Sequence, residues 1–79
     1  MQYYFHIRHN GDTATDDDPE GAEFPDVEAA RVEAVSSIRE ILADAIHSGA
    51  DSREGEMIVK NESRETVLRI PFSMRVELD

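Results

Sequence analysis

The residues from Asp26 to Ser48 leave this chain few ways to fold. Read as a helix, Val27, Ala30, Ala34, Ile38, Ile41 and Ala45 recur at steps of 3, 4, 4, 3 and 4. They fall on one face, which Val35, Leu42 and Ile46 widen. Asp26 stands before the stripe and can offer its carboxylate to the free N–H groups of the first turn. Glu28 lies near the positive end of the helix dipole. Gly49 follows as the residue that ends the helix, with His47 in the last turn. A single amphipathic helix must bury its stripe against another layer.

The flanking segments supply that layer, because their apolar residues alternate. Tyr3, Phe5 and Ile7 share one face of a first strand; Tyr4, His6 and Arg8 share the other. Asn10-Gly11 signals a hairpin. A two-residue turn there pairs His9 with Asp12, Arg8 with Thr13, Ile7 with Ala14 and His6 with Thr15, so the second strand is short, residues 12–16. Residues 49–56 read as a loop. A third strand then runs from Glu56 to Asn61, and a fourth alternates through Leu68, Ile70, Phe72, Met74, Val76 and Leu78. Pro71 puts that fourth strand at an edge or bends it. The fold class expected is α+β: a two-layer β-β-α-β-β arrangement, with a four-stranded, mainly antiparallel sheet and one helix packed on one face. Strand order 2-1-3-4 makes every pair antiparallel and is preferred to 2-1-4-3, which would contain a parallel central pair.

Seventy-nine residues form a single small domain, 1–79. A core this small is marginal and usually needs a staple. There is no cysteine, so neither a disulfide nor thiolate-held zinc is open to it. Oligomerisation is the staple that remains. The net charge of -10, from 18 acids against 8 Lys and Arg, repels phosphate backbones, so nucleic acid is not an expected partner. No stretch has the length and apolarity of a membrane span or a signal peptide, and a soluble cytoplasmic protein is expected.

The acidic run DDDPEGAE, residues 16–23, invites comparison with a calcium loop. Asp16, Asp18, Glu20 and Gly21 fit positions 1, 3, 5 and 6 of an EF-hand. The closing bidentate glutamate is replaced by Val27, and no helix precedes the loop. The run therefore reads as a solvated turn leading into the helix, with Phe24 stapling the helix start. His6 and His9 point to opposite faces of their strand and cannot share a metal. His9 could meet Asp12 as a dyad, but no nucleophile is placed for it. No catalytic residue, cofactor or metal is expected.

Two surfaces invite partners instead. Tyr4, His6, Arg8, Lys60 and Arg69 project from the face of the sheet away from the helix. Such a face is ordinarily solvated, its bases paired with neighbouring glutamates; it could also accept an anionic ligand or a protein partner. The last strand, with Met74, Arg75, Val76 and Leu78, outruns the third and presents an edge. Its unmatched half could pair with a second copy of the chain about a two-fold axis or fold back in cis.

Several stretches resemble a family of short bacterial proteins known only as a domain of unknown function. They are Tyr4 to Arg8, Gly11, Asp18 to Glu23, Pro25 to Arg31 and Ile70-Pro71-Phe72. The resemblance departs at NESRE, residues 61–65, which lacks the usual turn glycine, and in the tail SMRVELD. It implies the fold and no catalytic residues. A fainter likeness links the order hairpin, Phe-Pro-Asp, helix, strand to small antitoxin modules. The expected function is a non-enzymatic protein-interaction module acting as a homodimer. The alternative is an antitoxin-like regulatory module, or a binder of small anionic ligands that uses the basic sheet face.

Overall fold

The computed structural model describes residues 1–9, 15–17 and 20–77; at His9 and in 15–17 only the backbone is described. The elements are β1 (Gln2–His9), β2 (Thr15–Asp17), β3 (Ala22–Glu23), α1 (Val27–His47), β4 (Ser52–Lys60) and β5 (Thr66–Arg75). The sheet order is β2-β1-β4-β5, with β3 also paired to β1, and every pairing is antiparallel. This is the expected α+β architecture in the expected 2-1-3-4 order, with β4 and β5 in the places of the third and fourth strands.

The helix forms where its caps put it. Ala29 N–H donates to the Asp26 carboxylate at 2.9 Å. At the other end Gly49 takes a φ of 94°, the Gly49 N–H donates to the Ile46 carbonyl, and the Ala50 N–H donates to the Ala45 carbonyl. That pair of bonds closes the last turn and needs the left-handed residue that glycine supplies. Hydrogen bonding from Arg31 holds the Glu28 carboxyl below its ordinary value.

α1 lies over β4 and β5. Ala30 and Ala34 are fully buried, so the helix backbone approaches the sheet closely. Ile38 packs beside them against Met57, Val59, Phe72 and Tyr3. Val27 and Ile46, expected in the buried stripe, are exposed. They lie at the first and next-to-last positions of the helix, and Ile46 sits well round from Ala30 and Ala34 at about 100° per residue.

Four readings of the strands need correction. The β1–β2 register pairs Arg8 with Thr15, Ile7 with Asp16 and His6 with Asp17, two residues beyond the expected pairing. A shift of two leaves every side chain on the same face, so alternation cannot detect it. The Asn10-Gly11 turn, the Ala14 pairing and the His9–Asp12 contact fall outside the described residues. Secondly, β4 begins at Ser52, so the supposed loop 49–56 is mostly strand. Thirdly, the acidic run does not stay a turn: Ala22 and Glu23 pair with Tyr3 and Gln2, and the Phe24 N–H donates to the Met1 carbonyl. Finally, the ring of Phe24, rather than stapling only the helix start, lies 6.2 Å from that of Tyr3 and 5.9 Å from that of Phe5.

The β4–β5 turn is organised by Asn61, whose side-chain oxygen accepts from the N–H groups of Ser63 and Glu65. Arg64 takes a φ of 65° there, the conformation a turn glycine would normally adopt. A bulge between Val59 and Lys60 shifts the ladder by one residue, and both Val67 and Leu68 pack on the core.

Candidate interaction surfaces

The face of the sheet opposite α1 carries all five residues expected there, and the ladders set their arrangement. Tyr4 is directly across from Lys60. Next along the strands, His6, Ile58 and Arg69 form one row across β1, β4 and β5. Arg8, Glu56 and Pro71 form the row after that. Neighbouring strands stand about 4.8 Å apart and residues on one face about 6.7 Å apart along a strand. Arg69 donates to the Glu56 carboxylate at 3.1 Å. Among the described residues Arg8 and Lys60 have no salt-bridge partner.

The centre of this face is a residue that alternation does not point to. Ile58 is only 5% exposed although, among the described residues, no layer covers that side. The signal was the run Met57-Ile58-Val59, three apolar residues without alternation, which marks a strand buried on both faces. The face therefore presents the charged and polar side chains around Ile58, not the Ile58 side chain itself.

The C-terminal strand behaves differently from expectation. With β4 starting at Ser52, β5 finds a partner in cis for its whole length: Ser73 pairs with Glu54, Met74 with Arg53 and Arg75 with Ser52. The Val76 N–H donates to the Asp51 carbonyl at 2.7 Å. No unmatched half remains through Arg75 to demand a second chain. Leu78 lies outside the described residues. The free side of β5 is an edge interrupted by Pro71, a residue that blunts edges against further pairing.

α1 carries a second line, beside the core stripe, that meets the core at Leu42 and is exposed at its two ends. Val32, Val35, Arg39, Leu42 and Ile46 follow one another at steps of 3, 4, 3 and 4. At about 100° per residue this line lies roughly 125° around the helix from the buried alanines. Val32 is 59% and Ile46 50% exposed, while Val35 and Leu42 are half-buried.

Of the acidic run, Glu23 bonds the N-terminal ammonium and the Glu20 carbonyl accepts from the Gln2 side chain, while Asp18 and Pro19 lie outside the described residues. No group of three or more metal-ligating side chains occurs among the described residues. His47 is exposed in the last turn of α1.

The family described as Domain of unknown function (DUF6894) matches residues 2–73. The chain belongs to this family. The match covers all of β1 through α1 and β4, and β5 as far as Ser73. No curated protein and no solved structure matches the chain. Among the described residues no helix is long and apolar enough to cross a membrane.

Proposed function

We propose that this DUF6894 protein is a non-enzymatic protein-interaction module that works as a homodimer in the bacterial cytoplasm, joined through the outer line of α1. The carrying observation is the 3-4-3-4 spacing of Val32, Val35, Arg39, Leu42 and Ile46, a line that adjoins the core at Leu42 and leaves Val32 and Ile46 exposed. That spacing is the seam by which two helices interlock. Ser36 and Ala43 flank the line and are exposed, so a second helix can come close. An antiparallel pair centred between Val35 and Arg39 sets Val32 against Leu42 of the second copy and keeps the two arginines apart. One polar residue in such a seam favours a single register.

Burying a valine that is half exposed is worth about 1 kcal/mol, so Val32 from two copies contributes about 2 kcal/mol in this register. That is roughly thirtyfold in dimer affinity. Light scattering on the full chain at high micromolar concentration should give the dimer mass. Val32→Ser with Ile46→Ser should give a folded monomer, and Val76→Ser, off the line, should leave the dimer intact. A monomeric parent, or a dimer that survives the double substitution, would refute the proposal.

A further inference from the structure

We infer that the open face of the sheet docks an extended acidic segment of a protein partner, with two carboxylates four residues apart. The chain has eight Lys and Arg residues and a net charge of -10. Four of those eight, Arg8, Lys60, Arg69 and Arg75, occupy outward positions of β1, β4 and β5, with the acids Glu54 and Glu56 among them, Asp17 across from His6 on β2, and Glu77 bonded to Arg75. An acidic protein has therefore gathered half its bases on one of its two layers. The acids of the helix's outer surface lie beyond the sheet and the core, more than about 10 Å away. At physiological salt the Debye length is about 8 Å, so the face acts on a partner through its own local charge.

The spacing defines the occupant. Lys60 stands in the row of Tyr4, Arg8 stands four residues further along β1, and Ile58 lies midway between them. The two cations are thus about 13 Å apart along the strands. In an extended segment, side chains four residues apart on one side are separated by the same distance. A sequence of the form Glu-x-Val-x-Glu places one carboxylate at Lys60, the other at Arg8 and the valine in the row between them. Tyr4 offers a ring beside the first site. A nucleic acid fits less well, because its phosphates continue beyond the patch to Glu54 and the net negative charge.

Glu56 regulates this site. It is directly across from Arg8 and bonded to Arg69, so it occupies the cations that an incoming carboxylate needs. Removing its charge should strengthen docking, an outcome that a merely structural ion pair would not produce.

The test uses the full chain and a labelled Glu-Ser-Val-Ser-Glu peptide, followed by fluorescence anisotropy at low and physiological salt. The peptide should bind, more weakly as salt rises. Gln-Ser-Val-Ser-Gln and inorganic phosphate should bind far less. Arg8→Glu and Lys60→Glu should each weaken binding about tenfold, since repulsion between like charges replaces the attraction of one exposed pair. Glu56→Gln should tighten it. If a reversal unfolds the chain, Lys60→Ala carries the same comparison, with the melting curve as its control for folding. Equal binding of the glutamine peptide, tighter binding of an oligonucleotide, or indifference to Lys60 and Glu56 would overturn the inference. So would loss of dimer on Arg8→Glu, which would make a second copy the occupant of this face.

Discussion

Replacing Gly55 by alanine probes how β1, β4 and β5 are fitted together. Gly55 lies between His9 and Phe72 in the ladders. A Cβ at this position would stand 2.7 Å from Phe72 Cζ and 2.8 Å from the Arg8 carbonyl oxygen, closer than carbon tolerates. The Phe72 ring is buried and packed in the core, so it cannot swing away freely. The Arg8 carbonyl belongs to the backbone of β1, itself held between β2 and β4. In an open strand, alanine for glycine gains about 0.5–1 kcal/mol. Overfilling a packed site costs about 1–3 kcal/mol. The net expectation is a loss of about 1–2 kcal/mol, which lowers the melting temperature of a domain this size by about 5–15 °C. Circular dichroism melts give the shift and urea titration gives the free energy. Adding Phe72→Leu to Gly55→Ala should cost less than Phe72→Leu costs alone, because the ring is one of the two obstacles. A Gly55→Ala protein that melts at or above the parent would show the geometry argument to be wrong.

Asp26→Ala should cost about 1 kcal/mol in urea titration, the usual value of an N-cap, whereas Asp17→Ala should cost almost nothing. Arg64→Gly should stabilise by about 1 kcal/mol, because the left-handed conformation at this turn strains any residue with a Cβ; an unchanged or lower midpoint would contradict that. Glu28 titrates below its ordinary value, so the Arg31 pairing contributes at neutral pH and is lost as pH falls through that lowered value. In an NMR titration Arg31→Ala should return Glu28 to the ordinary carboxylate range.

The helix was legible because its signals are local: Asp26, the core alanines and Gly49 act within a turn of themselves. The strand order was legible because antiparallel pairing of alternating segments left one consistent arrangement. The register of β2 was not, since Thr15, Asp16 and Asp17 hold no apolar residue that a two-residue slip would misplace. The beginning of β4 was hidden by SREGE, polar residues around a glycine that look like a loop. There the glycine marks a ring laid over the backbone, and the partner residue, Phe72, lies 17 positions away. The basic face was legible as a set of residues; its buried centre at Ile58 was not, because alternation was read through Met57 and Val59.

The place of β1 between β2 and β4 bears on the order in which the chain assembles. Ile7 pairs with Met57, 50 residues on, whereas β4 and β5 are joined by the short turn from Asn61 to Glu65. Closing a loop ten times longer costs about 2 kcal/mol more in chain entropy. The hairpin of β4 and β5 with α1 laid across it can therefore form first, with β1 added afterwards. During synthesis β1 leaves the ribosome well before β4, the partner it must wait for. Until it docks, β4 has one bare edge, so misassembly between nascent chains is most dangerous in that interval. Stopped-flow kinetics would reveal the sequence of events: Ile7→Val should speed unfolding and leave folding nearly unchanged, while Val59→Ala should slow folding. A slowed folding rate for Ile7→Val would mean that β1 is already in place at the barrier.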